Sequence, residues 1–404
     1  MEFCTLNEKE FRKFLNNSSE RTFLQTPEIG KLREKMGWSV EYLGVKHNKK
    51  IVAATMIASI KRYFGFREFY APRGFLLDYN DKKLLNYFTA EIKKYVKENR
   101  GYVFRIDPYV MNVERDINGN IVEGGIDNSN IHSTLLELGY RKVKKKDLKQ
   151  VDWMYVLDVF GKNEEELLNN MKANTRNTIR KTMKSGIEIV ELKKDELSIF
   201  YKIMEETGKR KSFSVREKKY FELMYDMFYD RGEIKYLVAR LNLTKYIESL
   251  NKEKEEYVDS LSKISESKKN AGKKKAINEA IDGLSRRIEI AETIYKKDGN
   301  IINLSASMFL LTQPEVVYLS SGNYEKYLFF NAQYLIQWHM IKYALNNGFK
   351  RYNFYGISGN FDKNSEEYGV YEFKTGFGGK VVELIGEYEY PTSFIYKFMR
   401  LLHK

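Results

Sequence analysis

The sequence predicts a mixed α/β (α+β) protein of two similar domains, the second of which carries a long helical insertion. Two observations predict this architecture. One order of strands and helix occurs twice along the chain, although residue identity between the copies is slight. In the second copy, two heptad-patterned segments stand in place of a short hairpin turn. We therefore expect a tandem duplication with an inserted antiparallel helical hairpin, or coiled-coil arm.

The first copy begins with a β-hairpin and ends with a buried strand. Residues 41–45 and 51–60 flank a short polar turn, which predicts the hairpin, and residues 67–78 continue as extended chain. Apolar residues at three- and four-residue spacings over 84–96 predict one face of a helix. The apolar run 102–108 follows a glycine and predicts a buried strand.

The second copy repeats this order, element by element. Its elements are expected at residues 234–243, 301–312 and 315–322, in a long helix over 331–345, and in a strand over 350–356.

The insertion predicts a helical hairpin that extends well beyond its domain. Residues 243–264 and 277–295 show steps of four and three between apolar positions, and the Asn and Gly of 268–275 suit a turn between them. At about 1.5 Å per residue, the hairpin should be roughly 30 Å long. It could serve as a dimerisation arm, as a solvated spike, or as a lever that carries a basic tip to a polyanion.

Composition limits the partners without selecting one. The 69 Lys and Arg against 55 Asp and Glu give a net charge of +14, which attracts nucleic acid, anionic lipid or phosphorylated substrates alike. The single cysteine, Cys4, excludes an internal disulfide framework and fits a reducing compartment. Neither a signal peptide nor a membrane-spanning apolar run is visible, so we expect a cytoplasmic protein.

Common catalytic motifs are missing from the sequence. The four histidines have no ligand spacing, so we expect no metal site. There is no GxSxG elbow, no P-loop and no strand-linked GxGxxG. Hydrolysis through a nucleophilic triad and nucleotide-driven chemistry are both disfavoured.

Seven segments, in order along the chain, resemble the Fem aminoacyltransferases, the FemA, FemB, FemX and MurM group. They are FLQTPEIGKLREKMGW (23–38), FYAPRGFLLDY (69–79), RIDPYV (105–110), NTRNTIRKTMKSGI (174–187), SVREKKYF (214–221), the stretch from NAQYLIQWHM to FYGISG (331–359) and GVYEFKTGFGGKVVELIGEYEYP (369–391). One departure is Ile29, where the family often has Trp, which puts the shape of the nearby pocket in question.

The resemblance implies two GNAT-like domains and a defined reaction. Such proteins move an amino acid, most plausibly Gly, Ala or Ser here, from aminoacyl-tRNA to a stem-peptide amine of a peptidoglycan precursor and so build the interpeptide bridge. The acceptor would be lipid II or a UDP-linked muropeptide. The expected partners are aminoacyl-tRNA as co-substrate, with no other cofactor, and an anionic membrane surface at the inner face of the cell membrane. The position in the bridge and the oligomeric state stay open.

The resemblance also assigns candidate catalytic residues. Attack of an amine on the ester of charged tRNA forms an oxyanion and needs no enzyme nucleophile. The family places a functional lysine where Lys374 stands, and the neighbouring glycines would allow close approach of substrate. Lys374 could instead be a solvated surface lysine, and Phe373 beside it would wall the pocket or belong to the core. Asp107 could orient the amine or accept its proton, or could simply hydrogen-bond the turn before Pro108.

Precursor binding is assigned to a second set of residues. Arg33, or Lys31 if the register differs, and Arg216 with Tyr220 would hold the phosphates, because Arg grips phosphate oxygens with a planar fork. Tyr324 is a further candidate substrate contact. Arg216 and Tyr220 are four residues apart, so on a helix both would face one cleft. The alternative is that both are ordinary exposed helix residues.

Two basic clusters are candidates for contact with nucleic acid. The hairpin tip holds five lysines, which give an electrostatic footprint for tRNA without sequence information: Lys268, Lys269, Lys273, Lys274 and Lys275. A basic helix face around Arg176 and Arg180, with Lys181 and Lys184, would touch tRNA or a membrane, or be merely solvated.

These expectations combine into one domain plan and three functional hypotheses. The first domain is expected at 1–150, the second at 151–240 and 300–392, the arm at 241–299, and a C-terminal helix packed back on the first domain at 393–404. A tRNA-dependent aminoacyltransferase is the main hypothesis. The alternatives are a tandem GNAT-like acyltransferase that uses acyl-CoA, and a protein that binds RNA or a partner without catalysis.

Overall fold

The computed structural model describes residues 1–18, 21–265 and 268–402, and its strands form two mixed sheets. Within these ranges the first sheet has seven strands. In spatial order they are β1 (Glu2–Leu6), β2 (Ser39–His47), β3 (Lys50–Lys61), β4 (Arg67–Ala71), β5 (Gly101–Ile106), β15 (Tyr388–Pro391) and β7 (Arg141–Lys142).

The second sheet has eight strands in the same described ranges. In spatial order they are β6 (Met111–Glu114), β14 (Lys380–Leu384), β8 (Trp153–Asp158), β13 (Arg351–Gly356), β12 (Glu315–Asn323), β11 (Ile301–Thr312), β10 (Ile234–Asn242) and β9 (Glu188–Glu191).

Helices cover the faces and ends of both sheets. They are α1 (Glu8–Asn16), α2 (Pro27–Lys35), α3 (Lys82–Glu98), α4 (Ser129–Glu137), α5 (Glu164–Asn170), α6 (Ala173–Met183), α7 (Leu197–Lys211), α8 (Lys218–Phe228), α9 (Leu243–Ser262), α10 (Ala271–Asp298), α11 (Ala332–Asn346), α12 (Tyr368–Thr375) and α13 (Tyr396–Leu402). Local chemistry sets their starts. At α2, for example, the Thr26 hydroxyl accepts a hydrogen bond from the amide of Ile29, and Pro27 occupies the first turn.

The duplication predicted from the sequence is present in the topology. In the first sheet β2, β3 and β4 form an antiparallel meander, α3 crosses over, and β5 pairs parallel to β4. In the second sheet β10, β11 and β12 form the same meander, α11 crosses over, and β13 pairs parallel to β12.

The two sheets exchange strands, which the expected division at residue 150 did not anticipate. The strand β6, from the first half of the chain, pairs with β14 at one edge of the second sheet. The strand β15, from the end of the chain, pairs with β5 and β7 in the first sheet. Sequence periodicity defines a strand but not its pairing partner, so boundaries at 150 and 392 cannot be assigned from it.

The helical arm consists of α9 and α10, which pack against each other. The second helix begins at Ala271, so Lys273 to Lys275 belong to its first turns and not to the expected loop. Near the base Tyr246 is buried, its hydroxyl accepts a hydrogen bond from Arg287 at 2.9 Å, and its ring lies 5.7 Å from that of Phe330. Tyr295, expected in the apolar seam, is exposed. The neighbouring Ile294 packs against the core instead.

One apolar core joins the two halves of the chain. Phe23 and Ile29 from the first half pack in the same cluster as Phe200 and Met224 from the second. Ile29, the departure from the family pattern, is thus a core residue. At the end of the chain α13 packs on β5. In the part of the chain that the structure describes, no helix combines the length and the apolar character needed to cross a bilayer.

Candidate active site

Lys374 is a buried lysine near the end of the short helix α12. Only 6% of the residue is exposed, and its amine donates a hydrogen bond to the carbonyl oxygen of Gly356 at 2.6 Å. Burial lowers the pKa of this amine from 10.5 to about 7, because a charged ammonium loses its hydration in the fold. Lys374 is therefore not the solvated surface lysine that the sequence also allowed.

The glycines after Lys374 pack against protein, which corrects the expectation that they admit substrate. A Cβ added at Gly376 would stand 2.1 Å from the hydroxyl oxygen of Thr175. At Gly378 it would meet the backbone oxygen of Asn170 at 2.4 Å. These glycines let the segment after α12 lie directly on the helices α5 and α6, and this contact fixes the position of Lys374.

Aromatic rings pack on one side of α12. The Phe373 ring lies 4.9 Å from that of Tyr334 and 5.4 Å from that of Phe377, both in edge-on contact. Phe377 is fully buried, whereas Phe373 is partly exposed. Phe373 therefore forms the outer surface of a core cluster beside the lysine, which combines the two roles considered for it from the sequence.

Asp107, at the end of β5, forms a buried ion pair with Arg73. One carboxylate oxygen accepts a hydrogen bond from the backbone amide of Arg73 at 2.8 Å, and the other lies 3.4 Å from its guanidinium. Arg73 also donates to the carbonyl oxygen of Val151 at 2.6 Å and so ties the first sheet to the start of β8. Burial raises the pKa of Asp107, although the charge of Arg73 opposes this. The partner of Asp107 is thus Arg73, and not the turn before Pro108.

Arg33 is a partly buried arginine whose guanidinium stacks on aromatic rings. Its Cζ atom lies 5.3 Å from the ring centroids of both Trp38 and Tyr70. Among the described residues no carboxylate pairs with Arg33, and its buried Nε has no hydrogen-bond partner. Burial lowers the pKa of Arg33. Lys31, the alternative register, is instead exposed and pairs with Glu8 at 3.1 Å, so it belongs to a different surface.

Arg216 and Tyr220 lie beside Arg33. The guanidinium of Arg216 stands 4.7 Å from the ring centroid of Tyr220, and the charges of both residues act on the pKa of Arg33. Arg216 precedes the helix α8, which begins at Lys218, so the two side chains do not share a helix face as the spacing suggested. They meet because Arg216 folds back over the first turn of the helix.

An open cavity of about 610 Å³ adjoins this arginine cluster. Three basic residues and one acidic residue line it, in the set Lys35, Met36, Arg216, Glu217, Lys219, Tyr220 and Leu223. The basic lining and the unpaired Arg33 behind it favour a ligand with negative charge.

A second cavity of about 690 Å³ is lined in part by Tyr109. Its two basic side chains are already paired, Arg351 with Glu315 at 3.1 Å and Lys380 with Asp158 at 2.6 Å. It is therefore a poorer candidate for an anionic substrate than the cavity beside Arg216.

Tyr355 connects the arginine cluster to Lys374. It has a left-handed backbone, with φ of 61°, and its hydroxyl donates to the side chain of Gln150 at 3.0 Å. The charges of Arg73 and Asp107 act on its pKa, which burial raises. The next residue, Gly356, supplies the carbonyl that holds Lys374. The strained turn thus places both candidate catalytic residues around one bend of the chain.

Comparison with known proteins identifies the family. The model of the FemAB family matches residues 6–404. The chain is 32% identical to aminoacyltransferase FemA of Staphylococcus epidermidis, over 100% of this chain and 99% of that protein. It is 30% identical to aminoacyltransferase FemA of Staphylococcus aureus strain N315, over 97% and 96% of the two chains.

The chain belongs to the FemAB family.

Solved structures agree with this assignment. A crystal structure of FemX superposes on this FemAB protein with a TM-score of 0.79 at 25% identity, covering 100% of both chains. A tandem GNAT protein from the clavulanic acid biosynthesis pathway superposes with a TM-score of 0.52 at 9% identity, over 97% and 98% of the two chains. The second similarity concerns the fold alone and confirms the expected tandem GNAT-like architecture.

Other residues predicted from the sequence lie away from this centre in the FemAB protein. Tyr324 packs against Tyr327, with ring centroids 6.1 Å apart, at the base of the arm. Lys269, Lys273 and Lys275 are exposed at the arm tip, where Lys274 is partly covered, and the side chain of Lys268 lies outside the described residues.

On the helix α6 one member of the predicted basic face has a structural role. Arg176 donates to the carbonyl oxygens of Leu168 and Asn169 at the end of α5, whereas Arg180, Lys181 and Lys184 are exposed. Three of the four side chains are therefore available for an external anion.

Sequence reasoning missed three residues of this site, namely Arg73, Tyr70 and Tyr355. Arg73 and Tyr70 stand in the segment FYAPRGFLLDY, and Tyr355 in FYGISG, both of which resemble the family. The signal that could have found Arg73 is a lone charged residue within an otherwise apolar run, because such a charge needs a buried partner. Also within the described residues, no group of three or more His, Cys, Asp or Glu is placed to hold a metal ion.

Proposed function

We propose that this FemAB protein is an aminoacyltransferase that moves an amino acid from aminoacyl-tRNA to an amine of a peptidoglycan precursor. The observation that carries the proposal is the match to proteins named aminoacyltransferase FemA along the whole chain. The burial of Lys374 supports it. The transferred residue would be Gly, Ala or Ser. The acceptor would be lipid II or its UDP-linked soluble relative.

Lys374 supplies the charge that the reaction needs. The acceptor amine attacks the ester carbonyl of the charged tRNA, and the carbonyl oxygen becomes an oxyanion before the ribose hydroxyl leaves. An ammonium group has three N–H donors, and Gly356 accepts one of them. Protonated Lys374 can therefore donate the others to the oxyanion. A pKa of about 7 suits this role, because the approaching negative charge favours protonation at the moment it is needed.

The precursor phosphates bind at Arg33 and Arg216. Arg33 is held by aromatic stacking and has no carboxylate partner among the described residues, so an anion can take that place without breaking an ion pair. Arg216 and Tyr220 line the adjacent cavity. The precursor then extends from this cavity toward the bend at Tyr355, beyond which Lys374 lies.

The donor tRNA contacts the arm. Its tip carries exposed lysines roughly 30 Å from the domain, from the 20 residues of α9 at about 1.5 Å each. Such a cluster attracts a phosphate backbone without reading its sequence. The protein would meet a lipid-linked acceptor as a peripheral protein at the inner face of the membrane.

The test is a reconstituted transfer reaction. Purified protein is incubated with lipid II and tRNAs charged separately with Gly, Ala or Ser, and the precursor is weighed by mass spectrometry. We expect a mass gain equal to one residue for one of the three. Transfer from an acyl-CoA with none from charged tRNA would contradict the proposal and favour a GNAT-type acyltransferase.

Two single lysine variants test whether Lys374 is the oxyanion donor. Lys374→Ala should reduce kcat by at least about a hundredfold, the usual range for loss of an oxyanion donor. Lys363→Ala removes an exposed lysine from the loop before α12 and should leave kcat unchanged. If both variants keep full activity, Lys374 is not the oxyanion donor.

A further inference from the structure

Four large apolar side chains are exposed on two segments of the chain, the turn between β3 and β4 and the segment around α13, which packs on β5. Phe64 is 71% exposed, Phe394 94%, Phe398 51% and Leu401 70%. The rings of Phe64 and Phe398 are in contact, with centroids 6.3 Å apart. We call these four residues the aromatic patch. Single exposed apolar residues are common on proteins, but a group of four in two neighbouring segments indicates a binding surface.

Buried residues of α13 anchor this part of the aromatic patch to the first sheet. On the helix α13, Tyr396 and Met399 are buried against Tyr102 and Val103 of β5. This anchoring leaves Phe398 and Leu401 on the outer side of the helix. The helix that carries these two side chains is therefore anchored on the first sheet.

Basic side chains border the aromatic patch. Arg100 is exposed, and its guanidinium donates to the carbonyl oxygen of Phe64 at 3.2 Å. Lys61, before the turn that carries Phe64, and Lys397, on α13, are also exposed. Glu98, two residues before Arg100, is also exposed and adds one negative charge. The border is thus positive, in line with the net charge of +14.

We propose that the aromatic patch is the membrane-docking surface of this protein and that its partner is an anionic lipid bilayer. Phenylalanine and leucine side chains on an exposed face insert at the boundary between lipid headgroups and acyl chains, and lysines and arginines around them attract anionic lipids. Protein–protein interfaces, in contrast, are depleted in lysine. The combination of protruding phenylalanines with Lys61 and Lys397 therefore matches a lipid surface better than a second copy of the chain.

The sheet register places the arginine cluster toward the same end of the strands as Phe64. Ser39, the first residue of β2, pairs with Ser59, and Lys61 pairs with Arg67 at the start of β4. Trp38, on which Arg33 stacks, therefore stands at the end of the strands where Phe64 lies. A bilayer on the aromatic patch would bring the phosphates of a lipid-linked precursor near Arg33. This last step rests on the proposed function, whereas docking itself does not.

Vesicle flotation tests the docking directly. The full-length protein is mixed with vesicles of phosphatidylglycerol and phosphatidylcholine, or of phosphatidylcholine alone, and binding is measured as the fraction that floats. The double variant Phe64→Asn with Phe394→Ser removes two rings, and Asn tolerates the positive φ of 57° at residue 64. At about tenfold for each ring, we expect about hundredfold weaker partitioning.

Two controls separate the patch from general effects. Phe160, in the second half of the chain, is 70% exposed, so Phe160→Asn removes a ring of matched exposure and should bind as the parent protein does. Lys397→Gln should weaken binding about fivefold on anionic vesicles and leave binding to neutral vesicles unchanged. Circular dichroism confirms that each variant is folded.

Three results would overturn the proposal. They are failure of the parent protein to float with anionic vesicles, equal flotation of the double variant, and a dimer in solution that the double variant dissociates. The last result would make the patch an interface between two copies. Flotation requires no catalysis, so docking can hold while transfer to lipid II fails, and transfer to a soluble precursor can hold while docking fails.

Discussion

Replacement of Lys374 by methionine should stabilise the protein while it abolishes transfer. The pKa of Lys374 is lowered from 10.5 to about 7, so at pH 7 the fold gives up about 4 kcal/mol by burying this amine, at about 1.4 kcal/mol per pH unit. Methionine has a similar shape and no charge. It also removes the donor to the carbonyl of Gly356, which costs about 2 kcal/mol when that oxygen is left unpaired. The net gain expected at pH 7 is about 2 kcal/mol.

The dependence on pH distinguishes this cause from better packing. The unfolded chain keeps the lysine proton up to about pH 10.5 and the folded chain only up to about pH 7. Between these values the unfolded state binds more protons, so the stability of the parent protein rises with pH. The methionine variant lacks this contribution. Its advantage should therefore shrink from pH 7 upward and change sign at about pH 9, where the remaining cost of burying the amine equals the cost of the unpaired carbonyl.

Urea unfolding followed by circular dichroism at pH 7, 8, 9 and 10 measures the difference. Lys363→Met, at an exposed lysine, provides the matched control and should show no dependence on pH relative to the parent protein. A stability difference between Lys374→Met and the parent protein that is constant across these pH values would refute the reasoning, because the amine would then have an ordinary pKa.

Four further predictions follow from the site and the fold. Arg216→Ala should raise the KM for the precursor about tenfold with little change in kcat, since it removes a phosphate contact away from the reacting ester. Gly376→Ala should destabilise the protein by about 2 kcal/mol in urea unfolding because its Cβ would meet a buried hydroxyl at 2.1 Å, whereas Gly369→Ala, with open space around it, should not. Shortening the outer part of the arm, residues 251–283, to a tight turn keeps the buried base around Tyr246 and should raise the KM for charged tRNA while kinetics with the precursor stay unchanged. An unaltered KM for tRNA would contradict the role of the arm. Burial raises the pKa of Glu387 from 4.5 to about 7, so stability falls as pH rises through this range, and Glu387→Gln should gain about 3 kcal/mol at pH 8 and nothing at pH 4 in urea unfolding.

Most elements of the fold could be predicted from the sequence because their signals are local. The hairpin of β2 and β3, the helix α3 and the two helices of the arm all follow from the spacing of apolar residues and from turn residues. The pairing of β15 with β5 could not be predicted. It joins residues 282 to 288 positions apart, and period-two patterns are the same for any partner.

The site shows the same limit. Lys374 and Arg33 were found through the family resemblance, whereas composition and spacing contain no sign of their burial. Arg73 was missed because its role depends on contacts with Asp107, 34 residues away, and with Val151, 78 residues away. The arrangement of Arg216 over Tyr220 was predicted for the wrong reason, since the pair meets at a helix start and not on a helix face.

The centre of this protein retains charges that a stable fold would avoid. Lys374 is buried without a carboxylate partner among the described residues, and Glu387 is buried with a pKa raised to about 7, so each opposes folding near neutral pH. The left-handed backbone of Tyr355 adds a further cost, next to the Gly356 carbonyl that holds Lys374. Packing alone does not require any of these features, because apolar side chains of the same size would fill the space at lower cost. The buried amine of Lys374 is therefore best explained by chemistry that needs an ionisable group at that position. Lys374→Met is expected to raise stability and to abolish transfer for this reason.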